Sequence, residues 1–122
     1  DIAPLSYKPI SADSHVTEPP NCYTASIDPT YRDVAPHMIK NAKGGAQFVV
    51  DRMEMKIGMG GLAAAGIDPK EIRLDEASFD EIHRGGWDPE ARVAEQDQDG
   101  VGGEIVYPSV GMLICNASAI SL

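Results

Sequence analysis

The sequence predicts an α/β chain in which two parallel strands are separated by a long insertion and joined through a helix. Three observations carry this reading. The run Ile10-Ser11-Ala12-Asp13-Ser14-His15-Val16 has strand character and is stopped by Pro19-Pro20, which cannot continue a ladder. A well-punctuated helix covers 88–99. After Gly100, Val101 and Ile105-Val106-Tyr107 make a second strand, expected to be buried and closed by Pro108. A helix-containing crossover links parallel strands, so 10–15 and 103–107 should be parallel neighbours.

Taken in order, the elements follow from local chemistry. Residues 1–8 read as an irregular leader, with Pro4 and Pro9 bracketing Leu5 and Tyr7. Asp28-Pro29 is an N-cap followed by an N1 proline, opening a short helix that stops before Pro36. From His37 to Ile57 the pattern is a hairpin or small meander. Lys43-Gly44-Gly45 separates 38–42 from 46–50, and a turn near Asp51-Arg52 leads into 53–57. Residues 58–66 are rich in glycine and alanine and read as a loop, and Asp68-Pro69 opens another short turn of helix. For the main helix, Asp88 is the N-cap, Pro89 sits at N1, Glu90 lies in the first turn and Gly100 provides the stop. Its apolar face, Ala91, Val93 and Ala94, is thin.

Charge narrows the partners. Nineteen acidic against ten basic residues give a net charge of −9. Nucleic acids and anionic membranes both select for Lys and Arg patches, so neither is an expected partner. Cys22 and Cys115 stand far apart with no C-x-x-C pair, and the expectation is inert, buried, reduced thiols in a cytoplasmic protein. No run of 18 apolar residues is present.

The chemistry concentrates on the first strand. Side chains at i and i+2 share a face, so Asp13 and His15 bring a carboxylate and an imidazole together at the strand's C-terminal end. Oxygen and nitrogen ligands of this kind suit zinc and its neighbours. Glu18, three residues on, is expected within reach of the same mouth. Standing alone, an Asp-x-His pair is also compatible with a turn-capping Asp beside a backbone-satisfied His.

The whole run 10–20, with the 28–36 segment and the stretch from Gly86-Trp87-Asp88-Pro89 through Asp99-Gly100-Val101 to Tyr107-Pro108-Ser109, resembles amidohydrolase-related proteins of the aminocarboxymuconate-semialdehyde decarboxylase branch. The likeness spans roughly residues 8–115. It implies a distorted TIM (β/α)8 barrel of which this chain is an N-terminal portion, since a full barrel takes about 250 residues. Strand one would cover about 10–16, the insertion 20–86, the helix 88–99 and strand two 101–107. The resemblance also implies one divalent metal, zinc or manganese, with Asp13 and His15 as its first ligand pair. Asp13 stands where His is commoner in the family. The family's middle-strand His and final-strand Asp have no counterpart here. Glu18 and Tyr107 would lie beside the substrate, a small organic acid or carbonyl compound that is hydrolysed or decarboxylated.

Other signals weigh less. Gly58-Met59-Gly60-Gly61-Leu62-Ala63 satisfies a dinucleotide fingerprint, but Gly66 and Asp68-Pro69 cut short the helix it requires. A nucleotide-binding module is the remote alternative. Registering Asp97-Gln98-Asp99-Gly100 on a calcium loop puts Val106 where a bidentate Glu is required. His37 and His83 each read as solitary, and Met53, Met55 and Met59 read as packing. A competing reading is a non-catalytic oligomerising or interaction module. Either way, Ile10, Val101, Ile105 and Val106 should present apolar surface needing cover from a second copy or from a chain carrying the rest of the barrel.

Overall fold

The computed structural model describes residues 6–50, 56–62 and 64–116, and its elements fall into two small sheets and two helices. Strand β1 (Ile10–Val16) pairs in parallel with β5 (Gly103–Pro108). Strands β2 (His37–Lys40), β3 (Ala46–Val49) and β4 (Lys56–Gly58) form an antiparallel meander in sequence order. Helix α1 (Pro89–Asp99) precedes β5, and α2 (Ser109–Asn116) follows it directly. The mixed α/β class, the parallel pair and the meander are thus as expected. The turn near Asp51-Arg52, together with Met53 and Met55, lies outside the described residues.

Helix α1 has the ends its sequence specifies. The Asp88 carboxylate accepts from the N–H groups of Glu90 and Ala91, and Pro89 needs no partner at N1. Gly100 closes the helix at φ 72°, a left-handed conformation that only glycine adopts cheaply. The expected short helix after Asp28 is a 3-10 turn, Pro29–Val34, capped by the Asp28 side chain. Helix α2 was not legible: Pro108-Ser109 looks like a stop, and two β-branched residues and a glycine follow before residue 116.

The core belongs to the insertion. Phe48 and Met59 are fully buried, with Ala46 and Ile82 beside them, and Val110 of α2 plugs into the same cluster. Tyr23 packs edge-on against Phe48 with ring centroids 6.2 Å apart, and Phe79 meets Trp87 at 5.4 Å. Met59 is therefore a packing residue, as its setting suggested. Of the two expectations for these strands, a buried β5 and apolar surface needing cover, the exposures match the second. Ile105 is 51% and Val106 44% exposed, Ile10 on β1 is 69% exposed, and Val101 is half-buried. The reason is that α1 buries no residue and leaves Val93 exposed, so the parallel pair has no apolar cover among the described residues. Cys22 and Cys115 are likewise exposed free thiols rather than buried ones. No helix of the described residues is long and apolar enough to cross a membrane.

Hydrogen bonds hold three carboxylates below the usual carboxylate range. Asp28 is lowered by the Thr30 N–H, Glu81 by Ser78, and Asp88 first by the Arg84 side chain. Groups lowered on folding contribute stability above their unfolded values and lose it as pH falls. Thermal stability should therefore hold at neutral pH and decline from about pH 4 downward. In Asp88→Asn the decline should shrink, as scanning calorimetry across that range would show.

Candidate functional site

Strand β1 carries an irregularity that sets the site. Its register with β5 slips between Ser11 and Ser14, so that Ser11 faces Glu104 and Ser14 faces Val106. The extra residue is a β-bulge, a device that redirects side chains. It brings the Ser11 and Ser14 hydroxyls onto one side, 2.7 Å apart. Asp13, inside the bulged stretch, and His15, just past it, come to one side, with Asp13 Oδ1 3.5 Å from His15 Nε2. The Asp13 side chain is 87% exposed and the His15 side chain 41%. His15 pairs with Tyr107 across the sheet, and their rings lie 6.1 Å apart.

A carboxylate and an imidazole this close are able to share a cation. They supply two ligands, whereas a catalytic zinc normally takes three protein ligands. Among the described residues no group of three or more His, Cys, Asp or Glu side chains is arranged to hold an ion. By itself the pair therefore offers two of the ligands that such a site takes.

Glu18 does something other than what its sequence position suggested. Expected at the mouth, it is buried at 6% exposure. Its Oε2 accepts from the Val110 N–H at 3.0 Å, and its Oε1 accepts from the Gly111 N–H at 2.9 Å and the Tyr23 hydroxyl at 3.1 Å. It caps α2, where the helix N-terminus favours a negative charge. Burial first, then the Glu18 carboxylate, hold the Tyr23 phenol far above its ordinary range, so it stays a donor. The same two causes, in that order, raise the Cys22 thiol. Ser109 adds a hydroxyl bond to the Val16 carbonyl at 2.8 Å, and the Thr17 N–H donates to Gly86 at 2.7 Å. The C-terminal end of β1 is therefore tied on both sides.

Arg92 is a second organiser that sequence reading missed. Its Nε donates to Glu104 of β5 at 2.5 Å, and its Nη1 donates to the His15 carbonyl at 3.0 Å and the Gly85 carbonyl at 3.2 Å. One guanidinium thus joins α1 to both strands of the parallel sheet, and both partners of the ion pair are mostly buried. An Arg following an N-capped proline by three positions carries no sequence signal for such a role.

His83, read as solitary, is not. Its Nε2 lies 2.7 Å from Glu95 Oε1. Gly85 makes this possible, because a side chain there would run into the Glu95 carboxylate. His83 and His15 line one cavity of about 240 Å³, bounded by α1, β5 and the residues Leu62, Ala64 and Ala65. His37, by contrast, bonds the Ala35 carbonyl through Nδ1 at 2.9 Å and serves the local turn. The glycine run after Met59 forms a 3-10 turn, Met59–Gly61, rather than the phosphate-facing helix of a dinucleotide site; Ala63 lies outside the described residues.

No protein-family model matches this chain, and no characterised protein matches it significantly.

Two substitutions test these organisers. Glu18→Ala leaves two helix N–H groups and a phenol without their acceptor and should cost about 1–3 kcal/mol. It should speed amide exchange at Val110 and Gly111. Arg92→Met should cost about 1.5–3 kcal/mol, because it strands Glu104 and two carbonyls. Urea unfolding would measure both losses.

Proposed function

We propose that this chain forms the first part of a metal-dependent hydrolase or decarboxylase barrel, of the kind that the run 10–20 and the stretch 86–109 resemble. The observation that carries the reading is the Asp13–His15 pair, 3.5 Å apart at the C-terminal end of a strand in parallel pairing. That end is where (β/α) barrels place their chemistry. The order of β1, α1 and β5 is consistent with the opening of such a barrel, and the exposed Ile10, Ile105 and Val106 are consistent with strands awaiting neighbours.

In this reading Asp13 and His15 are the first ligands of a zinc or manganese ion. A divalent ion there supplies Lewis-acid polarisation of a carbonyl or water oxygen. The chain's own residues set the platform: Arg92 fixes the His15 backbone, Glu18 fixes where β1 ends, and Tyr107 borders the imidazole. The substrate is a small organic acid or carbonyl compound held over that platform.

Calorimetric titration with zinc and with manganese tests the pair. Weak binding is expected, because two protein ligands fall short of a full set, and His15→Ala should abolish it. Tight binding that survives this substitution would remove the assignment. Metal-dependent turnover of amides or carboxylic acids by the 122-residue chain should stay at background.

One observation favours a second reading, an assembly module. The parallel pair exposes apolar side chains on strands whose outer edges carry no further strand among the described residues. Such edges recruit strands from other chains. Light scattering should then report self-association or capture of a complementary chain. A monodisperse monomer with strongly protected amides at 101–107 would count against both readings.

A further inference from the structure

The cavity beside the sheet holds a feature that the metal pair does not use. His83 lines it, and its Nε2 is committed to the Glu95 carboxylate at 2.7 Å. A carboxylate accepts only, so Nε2 carries the proton and Nδ1 becomes the ring's remaining acceptor. This is the arrangement by which an acid fixes a tautomer and balances the imidazolium that forms when the other nitrogen takes a proton. Helix α1 turns Arg92, Glu95, Gln96 and Asp99 toward the cavity, and Gly85 lets Glu95 approach the turn that bears His83.

The lining also indicates a ligand class. Glu95, Asp99 and Glu104 outnumber Arg92, whose guanidinium already serves Glu104, so a ligand carboxylate would meet net negative charge. Leu62, Ala65 and Val101 supply apolar wall. The volume, about 240 Å³, falls below the roughly 300–1,000 Å³ of drug-sized sites.

We propose that His83, oriented by Glu95, is a general base acting on a small, uncharged carbonyl compound in this cavity. Water bound there attacks the carbonyl carbon. A lone pair of the water oxygen forms the new C–O bond as the carbonyl π pair moves onto its oxygen. One water O–H bond breaks with its proton passing to His83 Nδ1, and the carbonyl re-forms as the bond to the leaving group breaks. The imidazolium, balanced by Glu95, then returns the proton as the leaving group departs. Glu95 is a positioning residue. The proposal needs His83, Glu95 and the cavity but no bound ion, so it stands apart from the Asp13–His15 reading.

The test uses the 122-residue chain in a chelator, with 4-nitrophenyl acetate as probe. Its hydrolysis should exceed that by free imidazole at equal concentration by on the order of 10²-fold. His83→Gln should remove the excess, Glu95→Gln should remove most of it, and Glu95→Asp should restore part. Nitrogen-15 spectra should show a single Nε2–H tautomer for neutral His83 and a mixture in Glu95→Gln. A wild-type rate no faster than imidazole would overturn the proposal. So would an excess that survives His83→Gln. Because the first comparison needs no variant, a substitution that fails to fold cannot protect the idea. Loss of zinc binding in the separate titration would leave this result unaffected.

Discussion

The buried carboxylate of Glu18 is the constraint on which the arrangement turns. It sits just past the end of β1 and accepts from two N–H groups of α2 and from the Tyr23 hydroxyl. A buried carboxylate without such partners would be costly, so Glu18, the α2 N-terminus and Tyr23 must come together or not at all. Through Val110 and Tyr23 this junction reaches the Phe48 and Met59 core, and through Val16 it reaches the parallel sheet. It thereby couples the sheet to that core.

That division has consequences for function. The insertion between the parallel strands, not those strands, builds the hydrophobic cluster, while the strands that bear Asp13, His15 and Tyr107 stand largely in solvent. Polar contacts position them: Arg92 to Glu104 and to the His15 carbonyl, Ser109 to Val16, Thr17 to Gly86. Polar contacts are directional, so they fix geometry well. Their net contribution to stability is modest. The Asp13–His15 pair is therefore held by directional contacts on a sheet whose apolar surface has no cover among the described residues, which is why the two proposed readings, a metal platform and an assembly surface, fall on the same strands. The bulge between Ser11 and Ser14 belongs to this picture, since it brings those two hydroxyls together and carries Asp13.

Much of this was legible beforehand because it depends on neighbours in sequence. Asp88-Pro89 and Gly100 fixed both ends of α1, since capping uses groups within a few residues. Strand alternation with period two placed Asp13 and His15 on one face, and the two side chains do meet although Asp13 lies inside the bulge. The meander followed from its Lys43-Gly44-Gly45 turn, and the parallel pairing of β1 with β5 followed from the helix between them. Composition likewise determined the acidic surface.

Tertiary structure decided what depends on residues distant in the chain. Glu18 and Val110 lie 92 positions apart, and His15 and Arg92 lie 77 apart, so no local pattern announces either contact. His83 read as solitary because its partner is 12 residues away, on a helix face that periodicity alone marks as solvated. The sequence of β5 left two readings open, a buried strand or apolar surface awaiting cover, for the same reason. A strand's composition states what it can bury, but only the packing around it determines whether anything lies there to bury it against.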